Sequence, residues 1–487
     1  MQTASDSNAI DFIQRHATSA FWTIASLSLV LLITAFIYKI PEAALLPFAL
    51  LFGLLTLLNF RIVFYIMLCV MPFSIEYTFG SLGLDIPSEP IVMLLCVCTV
   101  IYLVYRYDLL RNAAFQHVIT TLIVLQFLWS GVAAIYSANL LLSVKYLLAK
   151  FWYITVFFVL PLLFIKTEKD IHKFFWCVFI PTFCSVCYVM VRHALYGFTF
   201  DTITQSVHPI YRNHVNYAVF ITMIFPFIPM AMNWYKKDSF IYKFLRLSIP
   251  LFITAIYFSF TRGAWLAFLA MGVYYLIMRF RLTKLVLVIS AFCILIFSIY
   301  ILHDNTYLKY APNYENTIYH EDLSEHLSST FEMEDMSTVE RFYRWIAAVH
   351  LFKKHPLTGV GPNNFVSQYK KYTVTAYETY ISDNEEKSTV HNYFLLLLTE
   401  QGVPAFILFV LLIAALLITA ENAYHQINHA QKKYALAFTL CIVVFLINNS
   451  LSDLVEANKV GSLFYICAAV LVNLAVLASR EKQAKIS

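Results

Sequence analysis

Apolar segments of membrane-spanning length recur along almost the whole chain, and they restrict its fold more than any other feature. A helix needs about 20 apolar residues to cross the hydrocarbon of a bilayer. Inside that hydrocarbon only structures that satisfy their own backbone hydrogen bonds are viable. Candidate spans are centred near residues 28, 50, 69, 98, 126, 156, 182, 224, 252, 271, 293, 411, 443 and 469. The second and third are joined only by Asn59-Phe60-Arg61, so either also fits a re-entrant segment, and the expected number of spans is 12–14. Composition agrees: 13% of residues are charged, against about 25% in soluble domains. The expected class is an all-α, polytopic integral membrane protein. All nine cysteines fall within apolar segments, so neither a disulfide framework nor a Cys/His metal site is expected, and Cys184-x-x-Cys187 lies mid-helix. The first eighteen residues are polar and lack a signal-peptide pattern.

Orientation follows from the distribution of Lys and Arg in short loops. With the N-terminus inside, the inner segments hold 19 basic residues, among them Lys166, Lys169, Lys173, Lys236, Lys237, Arg279 and Arg281, against seven in the short outer loops. This bias also explains the net charge of +5 without a nucleic-acid partner. It puts both termini in the cytoplasm and the polar stretch 304–390 on the extracytoplasmic face. Structureless loops beyond about 12–15 residues are uncommon unless functional or disordered. This one carries aromatics, an amphipathic pattern and a Gly/Pro turn, which speak against disorder. The expected organisation is an N-terminal transmembrane bundle (1–303), an extracytoplasmic loop domain containing amphipathic helices (304–390) and C-terminal transmembrane helices (391–487).

Four polar patches fall on the expected outer face. His208-Pro209-Ile210-Tyr211-Arg212-Asn213-His214 precedes a span, where a helix N-terminus favours anions; helix capping with interfacial snorkelling is the plainer reading. Ser259-Phe260-Thr261-Arg262-Gly263 places an arginine in a short break between two spans. Arginine near a membrane interior is costly and usually functional, and its guanidinium matches phosphate oxygens bidentately. Ser337-x-x-Glu340 fits a capping box. It opens an amphipathic helix with Phe342, Trp345, Ile346, Val349 and Phe352 at helical spacing, closed by Lys353-Lys354-His355-Pro356. Arg341 and Arg344 on this helix read equally well as solvated charges. The following Gly359-Val360-Gly361 is weak support for a phosphate loop, because no strand precedes it. Finally, Asp383-Asn384 and Thr389-Val390-His391-Asn392 lead into the next span, which Glu400-Gln401-Gly402-Val403-Pro404 interrupts. Histidine is the side chain best suited to general-base work near neutral pH.

Arg-x-x-x-Trp at Arg341, then His-Pro-Leu-x-Gly-x-Gly-Pro-x-Asn-Phe from His355, then His-Asn-x-x-Leu at His391, following the outer arginines, resembles the O-antigen ligase family. That family includes O-antigen polymerases and bacterial protein O-oligosaccharyltransferases. The resemblance covers roughly residues 205–415. It implies a GT-C-like glycosyltransferase in the bacterial inner membrane that takes a glycan from undecaprenyl pyrophosphate and passes it to an acceptor hydroxyl. The acceptor is a glycolipid or saccharide, lipid A–core in a ligase, and the reaction uses no metal or other cofactor. Carried over by position, Arg212 and Arg262 correspond to arginines gripping the donor pyrophosphate, Arg341 to the arginine of the loop helix and His391 to the base. Asn392, in the same motif, is expected to contact the substrate, and Asp383 is expected as a sugar or acceptor contact.

The chemistry is consistent with this implication. A departing pyrophosphate gains negative charge, which preorganised arginines stabilise. A base that takes the acceptor proton contributes about 10²–10⁴-fold. Attack opposite the leaving group predicts inversion. A polymerase or protein O-oligosaccharyltransferase fits the same residues, since none of them identifies the acceptor. A transporter of polyprenyl-linked sugars predicts mid-span charges and internal symmetry, neither of which is evident.

Overall fold

The computed structural model describes residues 46–79, 82–303, 336–369 and 389–486, with parts of 22–37. Among the described residues the chain is all-α apart from one antiparallel hairpin. In order the helices are α1 (Ala25–Thr34), α2 (Leu46–Val70), α3 (Ser88–Tyr105), α4 (Val118–Ile135), α5 (Leu140–Ile154), α6 (Leu160–Phe164), α7 (Glu168–Leu195), α8 (Phe200–Val207), α9 (His214–Ile224), α10 (Phe227–Met232), α11 (Phe240–Tyr257), α12 (Arg262–Arg279) and α13 (Thr283–Leu302). There follow α14 (Met336–Lys354), α15 (Phe365–Tyr369), α16 (Tyr393–Gln426), α17 (Lys432–Leu451) and α18 (Asn458–Ile486). The hairpin pairs β1 (Ile75–Phe79) with β2 (Leu82–Ile86), Ile75 opposite Ile86. Nothing in the apolar pattern announced it.

Among the described residues, ten helices are long and apolar enough to cross a membrane. The other expected spans correspond to α1, to the two limbs of α2 and to α12. Asn59 leaves helical geometry (φ −157°, ψ 79°) and divides α2 where the sequence suggested a junction. Its side-chain oxygen accepts from Ile62 N–H at 3.3 Å, starting the second limb as an N-cap does. Arg61, immediately after the break, pairs with Asp170 on α7 at 2.5 Å.

The most deeply buried spans are α9 with α10, α17 and α18. Of the spanning residues of α18, 78% are buried, against 6% for α13, so α18 is central and α13 peripheral. A small residue brings α12 close to α17. A Cβ on Gly263, in the first turn of α12, would lie 3.1 Å from Asn448 Oδ1 and 3.4 Å from Leu451 Cδ1 on α17. The α4–α5, α7–α9, α11–α12 and α17–α18 connections and the hairpin lie on the same face as α14 and α15, here termed the loop face.

Candidate functional site

The site is held by a clasp formed where α14 meets α16. Gly402 (φ 75°, ψ −175°) breaks α16 after its first turns, as the Glu400–Pro404 pattern suggested. Backbone groups freed at such a break must find new partners within the protein. Residues 356–365 and α4 supply them. Val360 N–H donates to Thr399 O (3.0 Å), Gly361 N–H to Glu400 O (2.9 Å), and Val403 N–H to Pro356 O (2.9 Å). Trp129 Nε1–H donates to Gln401 O at 2.8 Å. The Glu400 carboxylate accepts from Asn363 N–H (2.7 Å) and Phe365 N–H (2.9 Å). The two glycines of the loop are there for close approach: a Cβ on Gly359 would lie 2.2 Å from the Glu400 carbonyl carbon. Gly359-Val360-Gly361 is therefore committed to the helix break and does not form a phosphate-binding nest.

The clasp fixes the end of α14 against the start of α16, and His391 lies between these elements. Trp345 Nε1–H donates to Val390 O at 3.1 Å. Arg344, 1% exposed, donates through one terminal nitrogen to Thr389 O and to His391 Nε2, both at 3.0 Å. It also meets the Tyr369 hydroxyl. The other imidazole nitrogen, Nδ1, is 4.0 Å from Asp453 Oδ1 in the α17–α18 connection. Asp453 Oδ2 accepts from the Thr389 hydroxyl. An arginine only donates, so Nε2 is the acceptor and a neutral ring carries its proton on Nδ1, toward Asp453. Burial, then the positive charges of Arg344 and Arg341, hold the imidazole down to about 3. His391 also has φ 55°, a conformation that is uncommon for residues other than glycine and clusters at functional positions. Asn392 caps α16 through Leu395 N–H (3.0 Å) and donates to Ser450 O (2.9 Å).

The arginines expected to grip the donor lie around the same α17–α18 connection. Arg262 is half-buried in the first turn of α12, directly beside the Gly263 contact with Asn448 and Leu451. Arg212 is exposed and precedes α9, whose N-cap Asn213 accepts from Asn216 N–H at 2.9 Å. Lys459, opening α18, donates to Ile210 O and lies 4.3 Å from the centre of the Tyr211 ring. Phe200 bridges the two arginine turns, 6.2 Å from His214 and 5.8 Å from Phe260, ring to ring. Residues 448–459 thus touch the His391 loop, the Arg262 turn and the segment that ends at Arg212. Asp383 lies outside the described residues.

Two participants were not foreseen. Arg344 was indistinguishable from a solvated charge, yet it is buried against His391. Asp453 carried no local signal beyond its place in a short connection between spans. Among the described residues, no group of three or more His, Cys, Asp or Glu is arranged to hold a metal ion.

Residues 247–410 match the family model described as O-antigen ligase. This segment is an O-antigen ligase domain. The match runs from α11 to the first part of α16, so it contains Arg262, Arg341, Arg344, His391, Asn392 and the clasp, and leaves Arg212 and Asp453 outside. The protein is a multi-pass membrane protein, and the matched segment supports glycan transfer by a ligase-like enzyme. No curated protein matches the chain at a significant level.

Proposed function

We propose that this enzyme transfers a glycan from undecaprenyl pyrophosphate to a hydroxyl of lipid A–core. It works at the extracytoplasmic face of the bacterial inner membrane, with both termini cytoplasmic and the 304–390 loop periplasmic. His391 takes the acceptor proton on Nε2 as the acceptor oxygen bonds to the anomeric carbon. The bond from that carbon to the pyrophosphate oxygen breaks, its electron pair leaves with the phosphate, and the anomeric configuration inverts. Arg212, Arg262 and Arg341 stabilise the charge that develops on the departing pyrophosphate. Asn392 fixes the start of α16, and with it the backbone that carries His391. Asp383 contacts the sugar or acceptor.

The observation that carries this reading is the His391–Asp453 pair beside Arg344, with His391 and Arg344 inside the O-antigen ligase domain and Asp453 beyond its end. Nucleophile activation commonly uses a base whose second nitrogen faces an orienting carboxylate. The ionisable groups of the site gather at helix ends rather than at mid-span, which supports an enzyme over a transporter of polyprenyl-linked sugars.

The test is deletion of the gene in its host followed by analysis of the cell envelope. Loss of all polymer from lipopolysaccharide supports the ligase. Retention of a single repeat unit assigns a polymerase instead, and loss of glycoproteins alone assigns a protein O-oligosaccharyltransferase. In nanodiscs with lipid-linked donor and lipid A–core, His391→Ala is expected to abolish transfer. Transfer at the unaltered rate would remove the base assignment.

A further inference from the structure

His391 Nε2, the atom that must accept a proton if the reading above holds, already accepts a hydrogen bond from Arg344. We infer that Arg344 is a positioning residue that closes the Nε2 lone pair in the donor-free protein and opens it when the pyrophosphate of the donor draws the guanidinium away. The acceptors described for Arg344 above, Thr389 O, His391 Nε2 and the Tyr369 hydroxyl, are uncharged. A guanidinium bonds phosphate oxygens bidentately, and such charge-assisted bonds are roughly twice as strong as bonds between neutral groups. Arg344 is almost fully buried, so little water competes for it. Arg341 lies one helical turn earlier on α14, where residues three apart share a face, and its charge also acts on His391. A pyrophosphate beside this face of α14 would meet both guanidinium groups.

The electrostatic consequence has the same direction as the geometric one. The charged groups acting on His391, among the described residues, are Arg341 and Arg344 from α14 and Asp453 from the α17–α18 connection. The two arginines disfavour the imidazolium. A pyrophosphate dianion between them offsets both charges and leaves Asp453, which favours it. Donor binding therefore frees Nε2 and makes it more basic together, so the acceptor hydroxyl is activated only when the donor is in place. Tyr369, on α15, contacts Arg344 and would hold the guanidinium after it leaves the ring.

The experiment is ¹⁵N-histidine NMR of the full-length protein in nanodiscs. His391 is assigned by its loss in His391→Asn, and undecaprenyl pyrophosphate is the probe. In the ligand-free protein we expect a neutral ring protonated on Nδ1 that does not titrate near the ordinary value of about 6.5. Undecaprenyl pyrophosphate should move its midpoint upward. In Arg344→Gln the ligand-free midpoint should already be higher, by roughly 1–3 units, and the added lipid should change it less. Arg344→Lys, which keeps the charge, guards against a variant that only unfolds; it should retain a low midpoint. Ordinary titration of ligand-free His391 would overturn the inference. So would binding of the lipid, seen by ³¹P, that leaves Nε2 unchanged. A purely structural arginine predicts a less stable Arg344→Gln whose His391 responds to the lipid as the unmodified protein does. Absence of any ³¹P-detected binding would refute the release step and the proposed donor together, while the ligand-free spectra would still decide separately whether Arg344 occupies Nε2.

Discussion

Glu400→Gln tests the clasp that positions His391. The Glu400 carboxylate is 5% exposed and accepts from two backbone N–H groups, at 2.7 Å from Asn363 and 2.9 Å from Phe365. Hydrogen bonds to a charged group contribute about 1.5–3 kcal/mol each. Glutamine keeps the shape but has one acceptor oxygen, and its NH₂ would face an N–H it cannot serve. One bond is lost, so the local cost is about 1.5–3 kcal/mol. Every 1.4 kcal/mol is tenfold in an equilibrium constant, so local opening of the clasp should rise roughly 10–150-fold. Hydrogen exchange at Asn363 and Phe365 reads this directly, since such amides exchange through local opening. Glu400→Ala leaves both donors stranded and should exchange faster still. Transfer should fall in the same order, because a loosened clasp releases the α14 surface that holds residues 389–391. Unchanged exchange at both amides in Glu400→Gln would refute the reasoning, and faster exchange with intact transfer would show that transfer does not depend on the clasp's hold on His391.

Gly402→Ala forces a Cβ to within 2.0 Å of Leu357 O at φ 75°, so it should cost more than the ~1–3 kcal/mol of a strained backbone alone, seen as loss of monodisperse protein on size-exclusion chromatography. Trp345→Phe removes the bond to Val390 O and should lower stability by about 0.5–1.5 kcal/mol in thermal melts, with a fall in kcat. Arg262→Ala should reduce kcat by about 10²–10³-fold if the arginine meets charge that develops in the transition state; a raised KM at constant kcat would restrict it to ground-state binding. The pH dependence has a definite sign. Between about 6.5 in the unfolded chain and about 3 in the fold, the unfolded state holds more protons at His391, so stability is present above this window and falls as pH drops through it. For the same reason kcat/KM, which reports the free enzyme, should show no acid limb near 6.5; such a limb would contradict the buried, arginine-flanked ring.

The spans, the division of α2 at Asn59, the amphipathic α14 and the break in α16 were legible in the chain because each is written locally, in the length and period of apolar residues and in Gly and Pro placement. His391 and Arg262 could be singled out because polar groups at the ends of apolar spans stand out from their surroundings. The partners of these groups could not. Arg341 and Arg344 lie three residues apart on one amphipathic helix, and only the docking of α14 buries Arg344 against the imidazole. Asp453 is 62 positions beyond His391 and meets it only because α16 and α17 return to the same face. The Gly359–Gly361 turn looked like a candidate for phosphate, and the fold instead gives the Val360 and Gly361 N–H groups to the carbonyls of Thr399 and Glu400 freed at Gly402. The sequence by itself determined which segments are long and apolar enough to cross a membrane and which few polar residues stand at their ends. Tertiary structure decided which of them share a site, because hydrogen bonds and charges act over a few ångströms between residues that are far apart in the chain.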